Sequence, residues 1–288
     1  MYVAHCCVYF IHSFRIVVNR RDGWAMTADG EDARPSSLEL LWRDQMARPS
    51  RGPKPRLSLT KIVAAAIAVA DAEGLDELSM QRVAAELGYS TMSLYRYLSG
   101  KEQLIDLMVD AATAGPPSGA GAPGGWREEV EIVSRGLVDL YGRHPWLVRA
   151  QLNTPPMGPN QLAWMEELLR ALGGSGLSEE ETLLTALFLT GALRDLSRIS
   201  LDLGSARAGD PSGESAAHIQ NYAATLGAVV DPQRYPNLVR LMSAGVFEGG
   251  DEGRPEDTGS AIDYGLARIL DGVEARVRAT RRGSDQEV

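Results

Sequence analysis

Cysteine, histidine and aromatic residues are all scarce in this chain of 288 residues. Its two cysteines are adjacent, at positions 6 and 7, which excludes a framework of intrachain disulfides and makes a reducing compartment, the cytoplasm, the expected location. The four histidines, at positions 5, 12, 144 and 218, do not have the spacing of a metal site. We therefore predict neither a metal ion nor another cofactor.

Long uninterrupted apolar runs are missing as well. Residues 2–18 are mostly apolar, but histidine, serine and arginine interrupt them, and about 20 apolar residues are needed to cross a bilayer. A secretory signal carries its positive charge before the apolar core, whereas Arg15, Arg20 and Arg21 come late in this segment or after it. We predict neither export nor membrane insertion. We interpret Met26, which precedes a polar stretch, as the start of translation, although translation of residues 1–25 stays open.

The chain has a deficit of positive charge, with a net charge of −9 that argues against nucleic-acid binding by the chain as a whole. The deficit is uneven, because residues 48–101 hold eight basic and five acidic side chains. The net charge is −1 over residues 1–47 and −11 over residues 102–288. Screening confines surface electrostatics to roughly 10 Å, so a basic segment on an acidic protein can still hold phosphates.

The composition favours an all-α protein. Hydrophobic residues make up 44% of the chain, with much alanine and leucine but only 6% aromatics, and no segment alternates as a surface strand does. In residues 37–46 an apolar stripe that includes Trp42 follows a serine cap, which predicts a short docking helix. Residues 48–56 hold three prolines and four basic residues. We expect them to form an extended arm, either a solvated linker or an arm that enters a DNA minor groove.

Three predicted helices follow at the spacing of a helix-turn-helix. The first covers residues 59–70 before Gly74, the second follows Ser79, and the third begins after Ser90 and ends at Leu98. Two helices that cross at about 90 to 120° need a small residue where they touch and a glycine in the turn, and Ala84 and Gly88 occupy these places. Residues 99–102 match a capping box for a fourth helix to about residue 114.

Residues 78–108, LSMQRVAAELGYSTMSLYRYLSGKEQLIDLM, resemble the DNA-binding domain of the TetR family. The resemblance implies that eight side chains face DNA, those of Met80, Gln81, Thr91, Met92, Ser93, Tyr95, Tyr97 and Lys101. Tyr95 and Lys101 are expected to contact phosphates, and Gln81, Thr91 and Met92 to contact bases. Core packing is the alternative for Tyr97, and the implied partner is double-stranded operator DNA.

The remainder is predicted to be helical after a Gly/Pro-rich linker at residues 114–125. Seven helices are expected, at residues 126–141, 145–152, 159–172, 178–203, 214–230, 236–247 and 258–279. The predicted organisation is an extension at 1–50, a helix-turn-helix domain at 51–113, the linker, a ligand-binding and dimerisation domain at 126–282, and a tail at 283–288. Apolar stripes in the fourth and seventh of these helices pair either across a twofold axis, as the family implies, or within one core.

This part resembles the tetracycline-repressor branch of the family, through Trp126, His144-Pro145, residues 152–156 and residues 236–241. In that branch a histidine just before the turn that corresponds to residues 152–156 helps hold drug-bound magnesium, but Gln151 takes its place here, so we do not expect magnesium-tetracycline. We predict a pocket for a drug-sized, largely apolar ligand. Its expected lining is Trp146, Leu147, Gln151, Thr154, Trp164, Met165 and Phe188, each of which is alternatively a core residue.

These patterns predict a homodimeric repressor that a small-molecule effector releases from a palindromic operator. An activator of the same family is an alternative with the same chemistry. A second alternative is a DNA-processing enzyme that uses the helix-turn-helix for targeting, with Asp195 and Asp202 as candidate metal ligands. A third is a ligand-binding helical protein with a degenerate reading segment, which the intact Ala84, Gly88, Tyr95 and Lys101 argue against. We predict no enzymatic activity.

Overall fold

A computed structural model of the chain describes residues 35–46, 56–150, 157–208, 222–246 and 258–284. Apart from Pro35, these residues belong to one packed unit that begins at Ser36. Helices and turns account for its regular structure, and the described residues contain no strand. The predicted all-α class is confirmed. Residues 48–55 of the proposed arm and the predicted ligand contacts Gln151 and Thr154 lie outside the described residues.

Helix α1, Ser37–Met46, precedes the four helices of the head, a name we give to residues 56–113. The head contains α2 (Leu59–Glu73), α3 (Met80–Leu87), α4 (Thr91–Leu94) and α5 (Lys101–Ala112). The bounds of α1 coincide with the predicted docking helix, and its Leu40 is buried.

Local capping sets the ends of the head helices. The Ser58 hydroxyl accepts the Lys61 N–H at the start of α2, and the Ser79 hydroxyl accepts the Arg82 N–H at the start of α3. Gly88 ends α3 with φ of 71°, a left-handed conformation that glycine adopts without strain. A Cβ at Gly88 would touch nothing within 4 Å, so glycine is needed for its backbone and not for close packing.

Two expectations for the head are wrong. The predicted third helix has only one α-helical turn, and a hydrogen-bonded turn carries the chain from Tyr95 to Leu98. The predicted capping box does not form, because α5 has Gly100 at its cap position and no side-chain cap. Instead, the Gln103 side chain reaches back and accepts the Ser99 N–H at 2.7 Å.

The body, residues 125–284, contains six described α-helices and one 3₁₀ turn. The helices are α6 (Gly125–Arg143), α7 (Pro159–Gly173), α8 (Glu179–Ala208), α9 (Tyr222–Val229), α10 (Pro236–Ser243) and α11 (Thr258–Ser284). The helix predicted at 145–152 is a 3₁₀ turn, Pro145–Val148, as far as the structure describes it. Helices α6, α7 and α8 pack against one another, α11 packs on α8, and one apolar core runs from head to body. None of the described helices combines the length and the apolar character needed to cross a membrane.

Candidate nucleic-acid interface

The start of α4 presents an apolar side chain to solvent. Met92 is 74% exposed, more than any other large hydrophobic residue that the structure describes. Gln81 on α3 is also exposed, while Thr91 and Ser93 are half-buried. An exposed face of this kind at the start of a recognition helix is suited to contact base edges in a major groove.

Buried residues beneath this face fix its position. Leu94 is fully buried on the inner side of α4, and Val83 and Ala84 of α3 are buried in the same core. The Tyr97 hydroxyl donates to the Leu57 carbonyl at 3.0 Å. This bond ties the end of the recognition segment, a name we give to residues 91–98, to the residue before the Ser58 cap. The recognition segment therefore rests on a packed support, and Tyr97 is half-buried within that support.

The placement of Met80 corrects one expectation. Met80 is 7% exposed and belongs to the hydrophobic core, so it is not available to DNA. The reason is its position on α3, where Met80, Val83 and Leu87 are spaced at i, i+3 and i+7 on the inward face. Gln81, the next residue, faces outward.

The two predicted phosphate contacts differ in their surroundings. Tyr95 is half-buried and packs against the core, so its ring supports the head as well as facing its surface. Lys101 is the first residue of α5 and is half-buried, with no hydrogen bond or ion pair to any residue that the structure describes. An unpaired cation at this place is suited to a phosphate.

Arg82, by contrast, forms ion pairs with residues of the same head. It donates to Glu73 of α2 at 2.6 Å and to Glu86 of α3 at 2.8 Å. These hydrogen bonds raise the pKa of the Arg82 guanidinium and lower the pKa of the Glu73 carboxyl. Exposed Arg96 has no such partner among the described residues, so its positive charge, like that of Lys101, is available for a phosphate.

Among the residues that the structure describes, the predicted pocket lining is not gathered into a single site. The indole N–H of Trp146 donates to Asp71 of α2 at 2.7 Å, and that of Trp164 donates to the Thr113 carbonyl at 2.7 Å. Both rings are buried, and so is Leu147, the residue that follows Trp146 in the chain. These side chains belong to the contact between head and body, and Met165 packs against the same core. Their apolar character reflects packing, which sequence alone does not distinguish from ligand contact.

Phe188 lies apart from these buried residues and is 65% exposed on α8. It contributes to an open groove of about 380 Å³ between α8 and α11. The groove is lined by Leu177, Glu181, Leu184, Thr185, Phe188, Ile269, Gly272, Val273 and Arg276. Most of the predicted stripe of α11, including Leu266 and Leu270, is buried within the chain's own core instead.

Polar groups inside the body were missed from the sequence. The Ser134 hydroxyl of α6 and the Ser197 hydroxyl of α8 are buried without a hydrogen-bond partner in the described structure. Burial raises the pKa of Tyr141 to about 12, in spite of the opposing charge of Arg194. In the sequence these serines are isolated polar residues on the inward faces of amphipathic helices. A serine in such a position is usually interpreted as a small packing residue, so the pattern alone does not identify a buried polar group.

The candidate metal ligands of the enzyme alternative are engaged in ion pairs. Arg198 donates to Asp195 at 2.8 Å and to Asp202 at 3.3 Å, and Arg149 donates to Asp202 at 2.6 Å. The residues that the structure describes contain no group of three or more His, Cys, Asp or Glu side chains able to hold a metal ion.

Comparison with known proteins agrees with this organisation. Residues 62–108 match the family described as "Bacterial regulatory proteins, tetR family", and residues 118–277 match the "Tetracyclin repressor-like, C-terminal domain". The HTH-type transcriptional repressor DrrR1 of Streptomyces coeruleorubidus is 40% identical over 264 residues, which cover 89% of this chain and 90% of the relative.

Solved structures match over most of the described chain. Apo ActR from Streptomyces coelicolor has a TM-score of 0.63 and 27% identity, and the match covers 79% of this chain and 100% of ActR. ActR in complex with actinorhodin has a TM-score of 0.62 and 28% identity, over 76% of this chain and 96% of that one. The second family match alone spans more than half of the residues. The chain belongs to the tetR family of bacterial DNA-binding transcriptional regulators.

Proposed function

We propose that the protein is a homodimeric repressor that reads a palindromic operator and is released from it by a small-molecule effector. The observation that carries this proposal is the chemistry of the head: Met92 and Gln81 are exposed, and Arg96 and Lys101 form no ion pair with any described residue. Apolar and amide side chains suit base edges, and cations suit phosphates. The DrrR1 relative is named a repressor, which favours repression over activation here. The cytoplasm is the compartment in which this activity is expected.

The exposed apolar residues of α8 support a dimer. Leu184, Leu187 and Phe188 are 43%, 37% and 65% exposed on one long helix, next to the groove with α11. A contiguous apolar surface of this kind on a water-exposed protein usually marks an interface. A second copy related by a twofold axis would present the same surface, so each chain would contribute α8 and α11 to a four-helix interface.

The effector is proposed to bind inside the body. ActR has been solved with actinorhodin and with (S)-DNPA, so a related protein of the same fold takes small molecules. The unpaired Ser134 and Ser197 hydroxyls are groups that a ligand would satisfy, since buried polar atoms are seldom left without a partner. A small, largely apolar effector with a few hydrogen-bonding groups fits this chemistry.

Selection of bound fragments from sheared genomic DNA by the purified protein tests the proposal. We expect one enriched palindrome whose half-sites lie about one helical turn apart, roughly 34 to 36 Å. A folded dimer that enriches no sequence would contradict it. Transcription from the selected promoter, with and without the protein, then separates repression from activation.

Lys101→Ala should reduce the salt dependence of operator binding. Each phosphate contact contributes about one unit to the slope of log affinity against log salt, so a dimer should lose about two units. The loss should be similar for specific and non-specific DNA. Arg240→Ala, which removes an exposed cation from α10 of the body, is the control and should leave the slope unchanged. An unchanged slope for Lys101→Ala would remove this residue from the interface.

Met92→Ala should change sequence preference instead of salt dependence. A methionine side chain in the major groove can contact a thymine methyl group, and one such contact is worth about 1 kcal/mol of discrimination, or fivefold. We expect discrimination at one position of each half-site to fall by about this factor in a binding assay on single-base operator variants. Equal profiles for variant and wild type would show that Met92 does not contact a base.

A further inference from the structure

Helix α1 lies outside both family matches, which begin at residues 62 and 118, yet it is integrated into the fold. It packs on α5, and Leu40 on its inner face is 5% exposed. The Ser37 hydroxyl donates to the Asp106 carboxylate of α5 at 2.7 Å. The Trp42 indole N–H donates to the Met157 carbonyl at 2.8 Å, two residues before α7. Helix α1 thus bridges the last helix of the head and the start of a body helix.

A second bridge lies one turn further along α5. Oδ1 of Asp110 accepts the backbone N–H groups of Asn160 and Gln161 at 2.9 and 3.1 Å. Its Oδ2 accepts the Asn160 side-chain amide at 3.1 Å. The amides at the second and third positions of a helix are the ones that a capping side chain normally satisfies. Gly158 at the cap position of α7 has no side chain, so Asp110 caps α7 from another helix.

Because Asp110 is buried, its contacts with α7 require an accurate fit. The residue is 5% exposed, and burial raises the pKa of its carboxyl against the lowering effect of the α7 amides. A buried carboxylate that accepts three hydrogen bonds tolerates little displacement, because each lost bond leaves a desolvated group. Together, Ser37, Trp42 and Asp110 hold α1, α5 and the start of α7 in a three-helix junction.

The junction is placed where it can affect the position of the recognition segment. Helix α5 follows the recognition segment directly, so a change in the angle of α5 against α7 moves α4 relative to the body. In a dimer formed by the body, that movement changes the distance between the two recognition segments. A palindrome fixes the distance at one helical turn or a multiple of it.

We propose that the junction of Ser37, Trp42 and Asp110 determines the half-site spacing that the dimer accepts. The proposal rests on the proposed function, because it needs a dimer that reads a palindrome. The head determines base preference within each half-site, whereas the contacts of Ser37, Trp42 and Asp110 determine which spacings are tolerated. These residues are positioning residues, since they act through α5 and do not touch DNA.

Trp42→Phe tests the proposal because it keeps an aromatic ring and removes only the N–H donor to Met157. Affinity is measured for the selected palindrome, for the same palindrome with one base pair inserted at its centre, and for a single half-site. We expect the ratio of the affinities for the original and the expanded palindrome to fall about fivefold, because the loss of one hydrogen bond costs about 1 kcal/mol. The affinity for the half-site should not change. Trp126→Phe, on half-buried Trp126 of α6, is the matched control and should retain wild-type spacing preference.

Ser37→Ala provides a second variant at the other α1 bridge and should relax spacing in the same direction. Circular dichroism and light scattering establish that each variant is folded and dimeric. Wild-type spacing preference in both folded variants would overturn the proposal. If the wild-type protein itself binds the palindrome no better than a half-site, the proposed dimeric reading of DNA fails instead. Loss of half-site affinity in Trp42→Phe would place the effect in the head and would also overturn the proposal.

Discussion

Phe188→Glu should convert the dimer into monomers and lower operator affinity by more than about a hundredfold. Phe188 is 65% exposed beside the groove between α8 and α11, where the proposed partner subunit packs. Burial of an unpaired carboxylate at an interface costs several kcal/mol, which is enough to dissociate a dimer at micromolar concentration. A monomer also loses the gain in effective concentration that the second head provides, a factor of about 10² to 10⁴. Light scattering and a gel-shift assay at fixed salt measure the two effects.

Leu162→Glu is the control for this prediction. Leu162 is 40% exposed on α7, so its substitution adds the same charge to an apolar surface position outside the α8–α11 groove. We expect it to stay dimeric and to bind the operator as the wild type does. A Phe188→Glu protein that remains dimeric with full operator affinity would place the subunit interface on another surface.

Gly158→Ala should destabilise the protein by about 2 to 3 kcal/mol, in the range that overpacking of a filled site costs. A Cβ at this position would overlap the Asp110 carboxylate. The carboxylate cannot move aside without losing the Asn160 and Gln161 amides. For a protein of this size the loss corresponds to a fall in melting temperature of roughly 3 to 5 °C, measured by calorimetry or circular dichroism.

Gly142→Ala is the matched control, because a Cβ there meets nothing within 4 Å and the residue lies inside α6. Alanine is favoured over glycine within a helix by up to about 1 kcal/mol, so this variant should melt slightly higher than the wild type. The effect of Gly158→Ala should also shrink in an Asp110→Ala background, since the overlapping group is then absent. Full additivity of the two substitutions would refute the overlap.

The head was predictable because its signals are local. Ser79 and Gly88 specify the two ends of α3 through contacts within a few residues, and the structure confirms both. The family resemblance predicts a DNA contact at Met80, whereas the apolar spacing of α3 places this residue in the core, where the structure has it. The sequence suggests a full recognition helix to Leu98, but α4 ends at Leu94, and the Tyr97 N–H bonds to the carbonyl of Leu94 three residues back, as in a tighter turn.

The body was less predictable because its functional groups depend on tertiary contacts. The sequence shows that Trp146 and Trp164 are apolar, but their N–H partners Asp71 and Thr113 are 75 and 51 residues away in the chain. The same holds for Asp110, whose amide partners on α7 are 50 and 51 residues away. No periodicity identifies a cap that a different helix supplies. The apolar character of Phe188 is equally uninformative, because this side chain is exposed beside the groove between α8 and α11 and not in the core.

The indole hydrogen bonds also make the molecule its own optical reporter. Three of the five tryptophans, Trp42, Trp146 and Trp164, donate across the contacts that join α1 and the head to the body. Indole emission shifts in wavelength and intensity when its hydrogen bond or its solvation changes. Movement of the head against the body can therefore be followed in real time by intrinsic fluorescence, with neither a dye nor an engineered label. Single replacements by phenylalanine would assign each part of the signal to one joint.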